Sequence, residues 1–408
     1  MRNGSNTLGG RRGAAALAAL ILSTIATTAS GEARAGQKSE APVPAATLIL
    51  MKARGLSPLA PIVMRAYKKE SEIEVWKRGP DGRYALLKTF PICRWSGALG
   101  PKRREGDRQA VEGFYAVAAR QLNPNSAYYL SFDVGYPNAY DRAHGGGGSA
   151  VMVHGTCSSA GCFAMTDRGV AEIYALARDA LRGGQAAFQF QAYPFHMSAW
   201  NMARYRADPN IAFWRQLKEG SDRFEATGEE PSVETTGGRY AFSPYADPQL
   251  EALAQARRAR EDARTARLVA LGISSVRTNY ADGGQHPSFA AQMKLGANLG
   301  VVSRPEALAY AGLDEVMTPA RGVCARKGGC PDIFFAGPER SAPTPAAIPP
   351  AAPSAQGRVV LAAARPAPLG APDAAATLPA LLSYDLTLKT PPQTLIAGAM
   401  PILPDAFF

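Results

Sequence analysis

Between Ile62 and Phe195 the chain repeatedly breaks an alternating apolar pattern with a turn, and this rhythm restricts its fold more than any other feature. Residues 62–90, I-V-M-R-A-Y-K-K-E-S-E-I-E-V-W-K-R-G-P-D-G-R-Y-A-L-L-K-T-F, give two strand-like stretches around Gly79-Pro80-Asp81-Gly82, with Ile73, Val75, Tyr84 and Leu86 at every second position. That is the pattern of a hairpin. Further strand-length runs end at Val117 (G-F-Y-A-V) and cover 126–134 (S-A-Y-Y-L-S-F-D-V), 149–155 (S-A-V-M-V-H-G) and 187–195 (A-F-Q-F-Q-A-Y-P-F). A single helical pattern interrupts them over 170–184, with Val170, Ile173, Leu176, Ala177 and Ala180 on one side and Gly183 as its stop. Trp200 to Lys218 adds one or two helices, and 231–242 adds an edge strand. Short strands punctuated this often exclude a helical bundle and predict a mainly β fold with a few helices.

The two ends of the chain have a different character. Arg2, Arg11 and Arg12 precede A-A-A-L-A-A-L-I-L-S-T-I-A, and Ala33-Arg34-Ala35 supplies a small-x-small cleavage site, so residues 1–35 read as a secretory signal. The apolar run is shorter than the roughly 20 residues that span a bilayer, and no later stretch reads as transmembrane. The mature chain is expected to be exported, where cysteines oxidise. Residues 58–245 form the strand-rich domain. Residues 246–335 form a helical appendage that opens with an Arg-rich helix, Glu251 to Ala270, whose arginines are expected to face solvent. Over 336–408, and above all from Ala342 to Ala380, Ala and Pro dominate, which predicts a disordered tail. The net charge of +11 favours anionic surroundings. No zinc-finger spacing and no mixed aromatic and basic run is present, which argues against a nucleic-acid partner.

The chemistry concentrates in V-M-V-H-G-T-C-S-S-A-G-C-F-A-M-T-D, Val151 to Asp167, which holds one of four histidines and two of five cysteines. Three readings compete. His154, Cys157 and Cys162 could ligate a metal, with Cys93, His144 or His196 as the fourth ligand, but a thiolate site competes poorly with oxidation outside the cell. As disulfides, Cys324–Cys330 in C-A-R-K-G-G-C and Cys93–Cys157 leave Cys162 as the odd thiol, although spacing equally allows Cys157–Cys162. As a nucleophile, Cys162 follows Gly161 beyond a tight turn, and His154 can fold back as its base. The backbone N–H groups of Gly161 and Cys162 then offer an oxyanion hole. Asp167 reads either as an orienter of His154 or as the N-cap of a helix starting near Val170, and a backbone carbonyl would orient His154 equally well.

H-G-T-C-S-S-A-G-C-F-A-M-T-D resembles the catalytic motif of the L,D-transpeptidase (YkuD-like) family, in particular its Gram-negative murein branch with S-x-G-C-[FY]-A-M-T-D. The resemblance extends to E-V-W-K (74–77), K-T-F-P-I-C-R-W-S-G-A-L-G-P-K (88–102), E-G-F-Y (112–115), G-Y-P-N-A-Y-D-R-A-H-G (135–145) and A-Y-P-F-H-M (192–197). It implies an L,D-transpeptidase-like β-sandwich in the periplasm that needs no cofactor or metal and acts in cell-wall biogenesis or degradation and cell shape. Cys162 would be the acylated nucleophile and His154 its base, acting on peptidoglycan stem peptides that contain meso-diaminopimelate. With water as acceptor, the same chemistry releases a peptide or an outer-membrane lipoprotein attached to peptidoglycan. An inactive wall-binding protein is the reading from another class. The wider family's His before Gly-Cys and its Arg beyond are Ala160 and Ala164 here.

Arg142 is a candidate for a stem-peptide carboxylate, set against an ordinary salt bridge to Asp141 or Asp133. Ser159 and Tyr129 are further substrate-binding candidates; one of Tyr128 and Tyr129 is expected to face the core. The run Lys102-Arg103-Arg104 reads as a solvated basic face, and His144 as a weak supporting residue.

Overall fold

The structure, a computed structural model, describes residues 37–299, 305–308 and 311–326. The expected signal and the Ala/Pro tail lie outside the described residues. The hairpin rhythm resolves into three strands rather than two: β1 (Ile62–Tyr67), β2 (Glu72–Arg78) and β3 (Tyr84–Pro91). All six β1 residues are buried, so this strand shows no alternation to read. With β5 (Gly113–Ala118) and β10 (Ala187–Tyr193) they form a sheet of order β3-β2-β1-β10-β5, antiparallel except where β1 and β10 run parallel.

A second sheet joins β4 (Arg94–Trp95), β9 (Phe163–Ala164), β8 (Met152–His154), β7 (Ser131–Asp133) and β6 (Leu122–Asn123), in that order. Its parallel pair is β8/β9, with Val153 opposite Phe163 and His154 opposite Ala164. Val153 and Phe163 are fully buried, and Phe163 packs against Phe190 of the first sheet with ring centroids 5.7 Å apart. The core therefore lies between two open sheets, as a sandwich requires.

After the short helices α1 (Ala45–Ala53) and α2 (Ala139–Ala143), the helix α3 (Asp167–Arg182) begins three residues earlier than its apolar pattern suggests, because Thr166 is its N-cap: Gly169 N–H donates to Thr166 Oγ1 at 3.0 Å. It packs against strands of both sheets and ends at Gly183. Residues 231–242 do not extend a main sheet. They form a separate hairpin of β11 (Val233–Thr236) and β12 (Arg239–Phe242).

Residues 199–227 hold two helices, α4 (Ala199–Arg204) and α5 (Ile211–Thr227), and the Arg-rich helix, α6 (Pro248–Ala270), capped by Asp247, lies along α5. Its arginines do not all face solvent. Arg258, Arg260 and Arg267 are exposed as expected, but Arg257 is half-buried and pairs with Glu225 and with Asp222 (3.4 Å), which with Arg258–Glu219 (2.8 Å) joins the two helices. Beyond α6, β13 (Ser275–Asn279) pairs with β14 (Leu313–Thr318), and α7 (Pro287–Lys294) lies between them in sequence. Among the described residues no helix is long and apolar enough to cross a membrane.

Candidate active site

Register brings the two chemical groups together. One step before the paired Val153 and Phe163 of the β8/β9 ladder, Met152 N–H reaches Cys162 Sγ, and Met152 and His154 share a face by the two-residue period. Cys162 and His154 are thus diagonal neighbours, about 8 Å apart along the backbone by strand spacing and rise. Their face is opposite to the one on which Val153 and Phe163 enter the core.

The Cys162 thiol is half-buried and is the free cysteine among the described residues. Met152 N–H donates to Sγ at 3.4 Å, and the thiol reaches Ala150 O at 3.8 Å. Burial pushes the thiol above its ordinary pKa, while the Met152 N–H and the Lys102 ammonium pull it down and the Asp133 carboxylate adds to the rise. His154 is 4 % exposed. Burial lowers its pKa, and the hydrogen bond to Gly155 O opposes that fall. Nδ1 lies 2.6 Å from Gly155 O. Donating there, Nδ1 carries the proton and Nε2 keeps the lone pair a base needs. In this resting arrangement the two side chains are not hydrogen-bonded to each other. Both groups favour their neutral forms, a thiol beside an imidazole.

The loop between them is held at several points. Cys93 and Cys157 are joined by a disulfide (S–S 2.07 Å), which ties the loop to the residue just before β4. The metal set proposed from spacing is ruled out by that bond, since it consumes two of the thiolates. His144 stacks on Tyr140 and His196 on Tyr67, both in other surroundings. The Cys324–Cys330 pairing involves Cys330, outside the described residues. Asp167 is the first residue of α3, and its Oδ1 accepts from Thr156 N–H at 2.9 Å. It therefore tethers the loop after His154, while a backbone carbonyl orients the imidazole. Gly155 has no space for a side chain: a Cβ there would lie 2.6 Å from Asp167 Oδ1 and 2.8 Å from Tyr128 O.

The Ser159 hydroxyl sits at the centre of the turn. Gly161 N–H (3.2 Å) and Cys162 N–H (3.1 Å) donate to it, and it donates to Cys162 O at 2.7 Å. Ser96 Oγ in turn bonds Ser159 O at 2.9 Å and Ser159 Oγ at 3.1 Å. The two amides expected to face an oxyanion are thus occupied by Ser159. Tyr129, Ala150, Thr156 and Cys157, all around this site, adopt positive φ (+68°, +61°, +69° and +40°). Such conformations persist only where the surroundings enforce them.

Other candidates sit only partly as expected. Tyr128, 50 % exposed, lies against the His154 ring with centroids 4.7 Å apart. Tyr129 packs, half-buried, against the hydrophobic core, as expected of one residue of this pair, with Lys38 Nζ 5.2 Å from its ring centroid and donating to its carbonyl. Arg142 is exposed and donates to Pro137 O, while Asp141 is buried against Tyr115 OH (3.0 Å). Lys102 is not on a solvated face: its side chain is buried and paired with Asp107 at 2.5 Å. Sequence reasoning missed Lys102 and Tyr128; an Asp five residues beyond Lys102 was the one available sign of the pairing.

Comparison with known proteins places the chain among relatives. No family model matches it. It is 44% identical over 184 residues to "Putative L,D-transpeptidase YafK" of Escherichia coli (strain K12), a match covering 45% of this chain and 74% of that protein, and the Escherichia coli O157:H7 protein of the same name matches equally. Two solved structures are more distant. The helical cell shape determining protein Pgp2 from Campylobacter jejuni is 14% identical with a TM-score of 0.27, over 47% of this chain and 80% of that one. Bdellovibrio bacteriovorus Bd1075 is 18% identical with a TM-score of 0.24, over 34% and 48%. On the sequence match to the Escherichia coli proteins, this chain is an enzyme of the cysteine-type transpeptidase and hydrolase class. It belongs to the L,D-transpeptidase family.

Proposed function

We propose that the protein is an exported peptidoglycan L,D-transpeptidase that works in the periplasm through an acyl-enzyme on Cys162. The reading rests on one observation above the others. The free thiol shares a sheet face with a buried imidazole whose Nδ1 is already committed to Gly155 O. His154 Nε2 takes the thiol proton as Cys162 Sγ attacks the carbonyl at the L-centre of meso-diaminopimelate in a stem peptide. The C–N bond breaks, the amine leaves with the proton held by His154, and a thioester remains on Cys162. An acceptor amine then gives a crosslink, and water gives hydrolysis, with the thiol regenerated in either case. Starting from neutral groups, His154 acts as a true general base rather than as the partner of a preformed thiolate.

For Gly161 N–H and Cys162 N–H to hold the oxyanion, both exchange Ser159 Oγ for the substrate oxygen. Ser159 then serves as the keeper of the turn, and Arg142, free of any ion pair among the described residues, remains available to a substrate carboxylate. The domain responsible is the segment 58–245. Mass analysis of muropeptides after incubation of the purified protein with sacculi tests this reading. Crosslinked or exchanged products identify the transpeptidase, released peptides identify water as acceptor, and unchanged muropeptides with parent and Cys162→Ser protein alike would refute it.

A further inference from the structure

The region beyond α6 meets the active-site sheet along its open edge, and its main contacts fall on or beside residues that touch the Cys162 loop. Trp95 of β4 exchanges backbone hydrogen bonds with Gly284 (N to O 3.0 Å, and 3.1 Å in return), so the appendage adds a rung to the sheet. Gly283 N–H donates to Gly97 O at 2.5 Å. A Cβ at Gly283 would lie 1.7 Å from Trp95 O, and its φ is +78°, so only glycine fits that approach. Between Trp95 and Gly97 stands Ser96, the residue that grips Ser159.

The second contact is ionic. The Asp282 carboxylate, almost buried, accepts from Arg108 Nη2 at 2.9 Å and from Nε at 3.4 Å. Arg108 has φ +56°, and its backbone borders Gly161, where a Cβ would lie 3.5 Å from Arg108 C and 3.6 Å from Gln109 O. A two-pronged ion pair is a suitable device for holding a residue in that conformation. The third contact is apolar: Phe289 packs on the Cys93–Cys157 disulfide that closes the other end of the loop. Tyr280 on the Trp95 ring (4.8 Å) and His286 N–H on Ile92 O (3.0 Å) complete the seam.

We propose that residues 280–289 are a brace that sets the conformation of the nucleophile loop, with Asp282 a positioning residue acting on Gly161 and Cys162 through Arg108. The proposal rests on Cys162 being the nucleophile. Gly283 and Gly284 fix the depth of the brace, and Asp282 fixes Arg108 beside Gly161.

The test uses the full chain with Asp282→Asn, which keeps the side chain's size and removes its charge, and the swapped pair Arg108→Asp with Asp282→Arg. Two quantities are measured: turnover of meso-diaminopimelate muropeptides, and the rate of Cys162 alkylation by iodoacetamide across pH. Asp282→Asn is expected to lower kcat about 10-fold with KM changed less than about 2-fold, since small misplacements of a reacting group act on the chemical step. It is also expected to alter the alkylation rate by at least about 3-fold at an unchanged Tm, and the swap is expected to recover part of both. A parent-like alkylation rate in Asp282→Asn overturns the brace, as does a Tm that falls in both variants in step with every loss. If the parent itself fails to turn over muropeptides, the functional reading fails, while the alkylation comparison still decides the brace.

Discussion

The two sheets share a plan, each with one parallel pair among antiparallel ones, but they are built to very different lengths. Strands of the first sheet run to six, seven or eight residues, and those of the second to two or three. A ladder of two residues closes few hydrogen bonds, so the second sheet cannot fix its own loops. The first sheet is stabilised by its ladders and by fully enclosed polar groups. Lys68 Nζ, for example, bonds Glu112 Oε1 at 2.9 Å with both side chains 0% exposed, and Glu112 Oε2 accepts from Trp214 Nε1 at 2.8 Å. The second is held by ties from outside its strands: the disulfide, Ser159, Asp167 and the edge contact at Gly283 and Gly284. The sheet that carries the proposed nucleophile borrows its rigidity. Damage to the first sheet should therefore appear in folding, and damage to the ties of the second in catalysis.

The sharpest separation comes from Cys162→Ala, which is expected to remove at least about 10³-fold of turnover while Tm stays at the parent value. Restored turnover through another thiol would break the assignment. At the other extreme, Glu112→Ala leaves the Lys68 ammonium buried without its partner and is expected to cost about 3–5 kcal/mol in denaturant unfolding. The folded fraction of that variant should alkylate Cys162 at the parent rate, and a changed rate would mean that the two sheets are coupled more closely than their construction suggests. Ser159→Ala is expected to lower kcat about 10-fold for a stability change near 1 kcal/mol, because it releases a single turn. Equal losses in both would erase the contrast.

The smallest effect lies in pH. With the His154 imidazole held below its ordinary value, its base form is complete by neutral pH. The acid limb of kcat/KM should therefore fall below about pH 6.5, and activity should be flat from there through neutrality. With the thiol raised by burial, Cys162 alkylation should still be climbing beyond about pH 8.5. An alkylation plateau already reached near pH 6 would indicate a thiolate–imidazolium pair instead.

How much of this was legible in the sequence follows the same division. The hairpin across Gly79–Gly82, α3 and β10 were readable because their patterns run for many residues. The second sheet was legible only in part: β7 and β8 fall inside the expected runs 126–134 and 149–155, with narrower bounds, while β4, β6 and β9 were not foreseen, since two residues carry no period. The 126–134 stretch shows the consequence. Read as one strand, it sends Tyr128 and Tyr129 to opposite faces, and they do part, Tyr128 exposed and Tyr129 against the core, but through a turn at Tyr129 (φ +68°) that enters β7 only at Ser131. Cys162 and His154 stood out because their residue types are rare in this chain and close in sequence. Lys102 and the Asp282–Arg108 pair did not, because each depends on a partner that only the folded chain brings near, in the second case from 174 residues away.

The central claim is that Cys162 carries the acyl group. Intact-mass measurement of the protein quenched in acid during turnover of meso-diaminopimelate muropeptides, followed by peptide mapping, tests it most directly. The account predicts a peptide adduct on Cys162 that hydroxylamine removes and that Cys162→Ala lacks. Turnover with no such adduct, or a Cys162 found bridged to another cysteine in the active protein, would contradict it.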